Sequence, residues 1–171
     1  MPDPSPSSPP SPSFPSSPSA GAGAAAFKPP TGYLVWQLGH ALGARLERAL
    51  RDLDLTLAQH NVLQHAVQRP GVTSAESARR TGVTAQSMGS AVADLTERGL
   101  LERRPHPTNR RMLGLHPTQA GVLLAARAQA VVEDVNAEAL AVLTPPEQAT
   151  AHLLLHRLVT HLNPDALRPP S

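Results

Sequence analysis

The chain has 171 residues, with 15 lysines and arginines against 13 acidic residues, a formal net charge of +2 and no cysteine. The absence of cysteine excludes a thiol redox switch and a cysteine-ligated zinc site, and the few aromatic residues argue against the stacking platforms of single-strand nucleic-acid binders. No segment approaches the roughly eighteen consecutive apolar residues of a membrane helix, so no membrane partner is predicted.

Residues 1–30 are mostly proline, serine, alanine and glycine. Such a segment buries too little apolar area to offset the entropy of ordering, so we predict a disordered tail. It lacks the basic start and continuous apolar run of a signal peptide, which predicts a cytoplasmic protein. The remaining sequence suits one domain over residues 31–163, followed by a short C-terminal tail at 164–171.

Leucines recur at intervals of four and three residues after this tail, which predicts a helix from about Gly32 to Leu53 with one apolar face. The leucines of this face are Leu34, Leu38, Leu42, Leu46, Leu50 and Leu53. A single helix cannot bury such a face, so a partner surface is expected.

Two shorter helices joined by a tight turn are predicted next. Thr73 with Glu76 three residues later has the pattern of a capping box, and Thr81-Gly82-Val83 breaks the first helix. Thr84 is then placed to cap the second helix, and Gly99 is the expected stop signal after Arg98. This order of elements is typical of a helix-turn-helix.

The second helix has one apolar and one polar side. Its inward positions are Met88, Val92 and Leu95, and its outward positions are Ala85, Gln86, Ser87 and Ser90. The first turns of such a helix enter the major groove, where glutamine pairs with adenine and hydroxyls serve several bases. Base contacts are therefore predicted for Thr84, Gln86, Ser87 and Ser90.

An arginine-rich hairpin follows this helix. Between Glu97 and Arg111 there are five arginines, at positions 98, 103, 104, 110 and 111, against two glutamates. Two arginine pairs flank a turn that runs from Pro105 to Asn109, so their guanidinium groups are expected near the tip of a two-stranded ribbon. We predict that Arg103, Arg104, Asn109, Arg110 and Arg111 contact phosphates or a narrow minor groove.

Two further apolar helices end the domain. The first is predicted from Gln119 to Leu143, with Thr118 as its cap. Thr144, Pro145 and Glu147 then supply a cap, a proline at the first helical position and a capping-box acid. The last helix ends before Asn163-Pro164. Three apolar helices from both ends of the chain exceed what a winged helix needs for its own core.

The segments Ser77–Met88, Leu95–Arg104 and Asn109–Arg111 resemble the MarR family of bacterial transcriptional regulators, and the likeness extends over roughly residues 32–163. The resemblance implies a mainly α fold with a small β wing, a winged helix-turn-helix with long N- and C-terminal dimerisation helices. It places the DNA-binding part at about 57–117. The chain departs from the family at His106 and Asn109, where acids are usual, and at Pro117, where leucine is usual.

The resemblance also implies a homodimer that reads a pseudo-palindromic double-stranded DNA operator, and a small aromatic or phenolic acid as effector. Trp36 and His40 on one helix, with Asn61 and His65 on the next, are predicted to line the effector cleft. Trp36 as an ordinary core anchor is the alternative for that residue. The predicted function is therefore a transcriptional regulator, most simply a repressor.

Other functions find less support in the sequence. Eight histidines allow a metal-sensing regulator, because His152 and His156 lie four residues apart, with His60, His65 or His40 as possible neighbours. No carboxylate-histidine signature surrounds them, so no metal site is predicted. No nucleophile elbow or phosphate loop indicates an enzyme or a cofactor. A winged helix used only for protein docking remains an alternative.

Overall fold

The computed structural model describes residues 28–105 and 112–168. Within these residues the chain forms six helices and two strands: α1 (Thr31–Arg51), α2 (Leu57–Gln68), α3 (Ser74–Thr81), α4 (Ala85–Glu97), β1 (Leu101–Pro105), β2 (Leu113–Pro117), α5 (Gln119–Leu140) and α6 (Pro145–Leu162). The predicted mainly α fold with a small β wing is confirmed. Most of the predicted N-terminal tail, residues 1–27, lies outside the described residues, as do residues 106–111, where the sequence predicts the tip of the wing.

Helix α1 ends at Arg51, two residues before the predicted end at Leu53. The amide of Leu53 donates to the carbonyl of Leu50 over 3.0 Å, and Asp54 adopts a left-handed conformation with φ of 52°. These features form a tight turn into α2. Leu50 is fully buried at the end of α1, so this end of the helix is fixed in the core.

Helix α2 begins with a complete capping box. The Thr56 hydroxyl accepts from the amide of Gln59 at 3.2 Å, and the Gln59 side chain accepts from the amide of Thr56 at 2.7 Å. Val62, Leu63 and Ala66 on this helix are at most 1% exposed. We call the predicted DNA-binding part, residues 57–117, the DNA-reading unit. Helix α2 is the central helix around which the other elements of this unit pack.

Helices α3 and α4 form the predicted helix-turn-helix. Gly82 closes α3 with φ of 68°, a left-handed conformation that favours glycine, and Thr84 caps α4 through the amide of Ser87. Met88, Val92 and Leu95 are at most 1% exposed, which confirms the predicted inward face. Gly99 follows α4 with φ of 67°, so the predicted stop signal is confirmed too.

Strands β1 and β2 pair antiparallel, with Leu101 opposite Pro117 and Pro105 opposite Leu113. The loop after α2 adds a short third edge, because the amide of Leu115 donates to the carbonyl of Val72 at 2.8 Å. A methyl group at Gly114 would lie 2.7 Å from the carbonyl oxygen of Gly71. The wing is thus held against the loop that leads into α3.

Helix α5 is capped by Thr118, whose hydroxyl accepts from the amide of Gly121 at 3.1 Å and donates to the carbonyl of Gly99 at 2.8 Å. A Cβ at Gly121 would lie 2.1 Å from the carbonyl oxygen of Leu100. Only glycine permits this approach of α5 to the start of the wing. The helix ends at Leu140, three residues before the predicted end.

Helix α6 starts as predicted, with Pro145 in its first turn and the Glu147 carboxylate on both the amide and the hydroxyl of Thr144. None of its residues is buried. Its exposed apolar side chains include Leu153, Leu154, Leu158 and Leu162, and α1 exposes Leu34, Trp36 and Leu38. The long terminal helices therefore carry apolar surface that one subunit leaves uncovered. In the part of the chain that the structure describes, none of the helices combines the length and the apolar character of a membrane span.

Candidate nucleic-acid interface

The first turns of α4 present the four predicted base-contacting residues, all of them exposed: Thr84, Gln86, Ser87 and Ser90. The Thr84 hydroxyl accepts from the amide of Ser87 at 3.1 Å and lies 3.0 Å from the hydroxyl of Ser87. Thr84 thus has a capping role, and it orients Ser87. Gln86 and Ser90 are four residues apart and share one face of the helix.

Arg103 and Arg104 are exposed on β1, with Arg103 opposite Leu115 and Arg104 opposite Gly114. The Arg104 guanidinium donates twice to one carboxylate oxygen of Glu102, from Nε at 3.1 Å and from Nη2 at 2.8 Å. Glu102 therefore orients Arg104 and offsets part of its charge. The other predicted wing contacts, Asn109, Arg110 and Arg111, lie outside the described residues.

His116 lies opposite Glu102 across the wing. Burial and the nearby positive charge of Arg104 lower the pKa of His116, while Glu102 opposes them. The lowered pKa keeps the imidazole neutral to a lower pH than usual, so this ring adds little positive charge to the wing near neutral pH.

Arg98, counted from the sequence as part of the basic hairpin, has a structural role instead. Its Nη1 atom donates to the carbonyl of Asp54 at 2.8 Å and lies 3.2 Å from the Asp94 carboxylate. Asp94 also accepts from the Gln59 side chain at 2.7 Å. Arg98 ties the end of α4 to the turn after α1, so its charge is largely committed within the fold.

The role of Glu76 also differs from the predicted one, which was to complete a capping box with Thr73. The Thr73 hydroxyl accepts from the amide of Glu76, but only this half of the capping box forms. The Glu76 carboxylate is instead bound by Arg69 and lies 3.5 Å from Nε of Arg80. Ion pairing with two guanidinium groups draws this carboxylate away from the cap.

A cavity of about 40 Å³ lies beside this ion-pair cluster, lined by His65, Gln68, Arg69, Val72 and Arg80. The Nδ1 atom of His65 lies 2.6 Å from the buried hydroxyl of Ser77. Burial lowers the pKa of His65, and the positive charge of Arg80 lowers it further. The lowered pKa favours the neutral ring, which lies within hydrogen-bonding distance of Ser77 between α2 and α3.

The other predicted effector residues lie elsewhere. Trp36 is 61% exposed on α1 and stacks on His40, with ring centroids 5.8 Å apart and planes at 12°. Asn61 is half-buried on α2. Within the described part of the chain, the cavity lining includes only His65 of the four residues. One subunit thus brings Trp36 and His40 together, and the common cleft stays a prediction.

The histidines of α6 lie close to each other, with ring centroids of His152 and His156 6.2 Å apart. Among the described residues no group of three histidine, aspartate or glutamate side chains is placed to hold a metal ion. The geometry gives the metal-sensing alternative no specific support.

Two short helices joined by a left-handed glycine, a polar first turn on the second helix and a two-stranded basic wing define a winged helix-turn-helix DNA-binding protein. A model described as MarR family matches residues 53–112. The HTH-type transcriptional repressor Rv2887 of Mycobacterium tuberculosis is 37% identical over 129 residues, which cover 75% of this chain and 93% of that protein.

Solved structures agree with this relationship. The M. tuberculosis MarR family protein Rv2887 in complex with salicylic acid matches with a TM-score of 0.66 at 37% identity, over 77% of this chain and 97% of that one. Its complex with DNA matches with a TM-score of 0.66 at 36% identity, over 77% and 98%. Wild-type MarR from E. coli, in its apo form, matches with a TM-score of 0.68 at 25% identity, over 78% and 99%. The chain belongs to the MarR family of transcriptional regulators.

Proposed function

We propose that this chain is a homodimeric transcriptional repressor that binds a pseudo-palindromic DNA operator and is released from it by a small aromatic acid. The observation that carries the proposal is the two-sided character of α4. Met88, Val92 and Leu95 anchor the helix in the core, while Gln86 and Ser90 stay exposed on its first turns. A rigid helix with a polar leading end is suited to reading base edges.

The wing supplies the sequence-independent part of the affinity. Arg103 and Arg104 are exposed on β1, and Arg110 and Arg111 follow in the predicted tip. Guanidinium groups bind phosphates and displace the counterions condensed on the DNA. The affinity therefore falls as the salt concentration rises. The complex of the relative Rv2887 with DNA supports the same use of this fold.

Dimerisation is supported by the uncovered apolar surface of the terminal helices. Trp36, Leu38, Leu153 and Leu162 are between 53% and 78% exposed, and they lie on α1 and α6. An apolar surface of this extent on two long helices is typical of an interface with a second copy. A two-fold symmetric pair places two α4 helices about one turn of DNA apart, which explains the expected pseudo-palindrome.

The effector proposal draws on the salicylic acid complex of Rv2887 and on the stacked, exposed pair Trp36 and His40. We place the acid between the dimerisation helices and the DNA-reading unit, in contact with these two residues and with Asn61 and His65. A ligand that prefers a dimer with misplaced α4 helices lowers DNA affinity by that preference.

The proposal is tested by gel shift of the purified protein on the DNA upstream of its own coding region, across a salt series. A discrete complex is expected, with affinity that falls linearly with salt on logarithmic axes. Salicylate should release this complex. A protein that binds no duplex at any salt concentration would instead favour the protein-docking alternative.

A further inference from the structure

The residues that follow α6, Asn163–Arg168, fold back onto the end of α3. They form a turn in which the amide of Ala166 donates to the carbonyl of Asn163 at 3.1 Å. The Asn163 side-chain nitrogen lies 3.4 Å from the carbonyl oxygen of Arg79 and 3.5 Å from that of Arg80. Carbonyls in the last turn of a helix lack partners within that helix, so this amide supplies a cap from a distant part of the chain.

Charged contacts reinforce this cap. One carboxylate oxygen of Asp165 lies 3.6 Å from Nε of Arg79, and the other lies 3.1 Å from Nη2 of Arg168. The guanidinium of Arg80 donates to the carbonyl of Arg168 at 2.9 Å. We call the segment Asn163–Arg168 the C-terminal clamp. Although the sequence suggested only a short tail from residue 164 onward, its described part is bound to α3 at several points.

The clamp contrasts with the helix that precedes it. No residue of α6 is buried in this subunit, whereas Asn163 and Asp165 are half-buried against α3. Helix α3 leads through Gly82 directly into α4, so a contact that fixes α3 also restrains the recognition helix. The other two dimerisation helices are also joined to the DNA-reading unit, because Gly121 of α5 lies against Leu100 and Leu50 of α1 is buried in the core. The clamp adds a contact from the end of α6.

We propose that Asn163 and Asp165 are positioning residues for DNA recognition: through the clamp, α6 sets the separation of the two recognition helices in the dimer. This inference rests on the proposed function, a homodimer that reads two half-sites. When the two DNA-reading units of a dimer are held at a fixed separation, they bind a correctly spaced pair of half-sites with a high effective concentration. A DNA-reading unit that is less firmly held by α6 binds a single half-site equally well but discriminates less between spacings.

The test compares duplexes that differ only in half-site spacing. The operator selected from random duplexes is prepared at its natural spacing, with the half-sites one and two base pairs nearer or farther apart, and as a single half-site. Affinities are measured for the wild type, for Asn163→Ala, for Asp165→Ala and for the double variant. We expect the double variant to lose about ten-fold in discrimination between spacings, with little change on the single half-site.

Asp134→Ala is the matched control, because Asp134 is an exposed acid on α5 outside the clamp. Size-exclusion chromatography and thermal unfolding verify that each variant is a folded dimer. Asp165→Asn replaces Asp165→Ala, and Asn163→Ser replaces Asn163→Ala, where the alanine variant is not folded, and the double variant is rebuilt from these. Variants that keep the wild-type preference for spacing would overturn the clamp inference. An equal loss of affinity for single and paired half-sites would also overturn it, since the residues would then act within one DNA-reading unit. A wild type that binds no duplex would instead refute the proposed function.

Discussion

The carboxylate of Glu102 receives two hydrogen bonds from the guanidinium of Arg104, with both bonds on the same oxygen. The two residues lie two positions apart on β1, so their side chains share one face of the strand. The family has acids at the wing tip, where this chain has His106 and Asn109. Glu102 provides a carboxylate at the base of the wing that orients one arginine of the wing.

Glu102→Gln should separate orientation of Arg104 from its charge. The substitution removes a negative charge that repels phosphates and frees the guanidinium, so affinity for random duplexes should rise while the ratio of specific to random binding falls. Fluorescence anisotropy on the operator and on a random duplex across a salt series measures both quantities. Equal affinities for wild type and variant on both duplexes would contradict a role for this pair in DNA binding.

Base reading and phosphate binding should respond differently to substitution. Gln86→Ala should cost about 1 to 3 kcal/mol at one base step and relax the preference there, because it removes a paired hydrogen bond to a base. Arg110→Ala should weaken binding to all sequences and flatten the salt slope, because it removes a phosphate contact. Affinities on a panel of single-base operator variants distinguish the two effects. An unchanged affinity of Arg110→Ala on every duplex would refute the wing assignment.

Local signals in the sequence predicted most of the reading unit. Thr84 caps α4 and Gly82 ends α3 because of the backbone conformations that these residue types favour. The spacing of Met88 and Val92 follows directly from the helical repeat. Such features depend on residues within one or two turns. The predictions at Thr84, Gly82, Met88 and Val92 are therefore confirmed, as is the start of α6 after Thr144.

Features that depend on distant partners were not predictable in this way. Glu76 has the spacing of a capping box but binds Arg69 and Arg80, and Arg98 binds the turn at Asp54 instead of standing free. In each case tertiary ion pairing outweighs a local hydrogen bond or solvent exposure. Likewise, no local signal in Asn163-Pro164 indicates docking on α3, because its partners lie more than eighty residues earlier in the chain.

Gly121→Ala should destabilise the fold, because its Cβ would lie 2.1 Å from the carbonyl oxygen of Leu100 and the backbone must shift. We expect a loss of about 3 kcal/mol or more in the free energy of unfolding. Gly89→Ala is the control, since nothing lies within 4 Å of the added methyl on α4 and a gain of about 0.5–1 kcal/mol is expected there. Urea unfolding at fixed protein concentration compares the two variants. Similar stabilities for both would contradict the close approach of α5 to the wing.

Trp36 should report effector binding directly, because it is the only tryptophan in the chain and its ring stacks on His40, a second residue of the proposed effector site. Benzoate is a suitable probe, since it does not absorb where tryptophan is excited. Its addition should change the Trp36 emission over the same concentration range in which it releases operator DNA. His40→Ala should weaken both effects together. Release of DNA with no change in emission, at any concentration, would place the effector away from this pair.

His60 should make the fold sensitive to mild acid. Its side chain is 5% exposed, its Nδ1 atom has no hydrogen-bond partner among the described residues, and burial lowers its pKa from 6.5. The unfolded chain therefore binds a proton as pH falls through 6.5, before the folded chain does. Stability is full above this pH and declines below it until the lower folded pKa is reached. His65 contributes in the same direction, since its pKa is lowered as well.

His60→Leu should reduce the difference in melting temperature between pH 7.5 and pH 5.5. Both temperatures are measured at one protein concentration, because dimers are stabilised by mass action. His152→Leu, a change at an exposed histidine on α6, serves as the control. If His60→Leu and the wild type showed the same loss of stability in acid, the buried imidazole would not be its source.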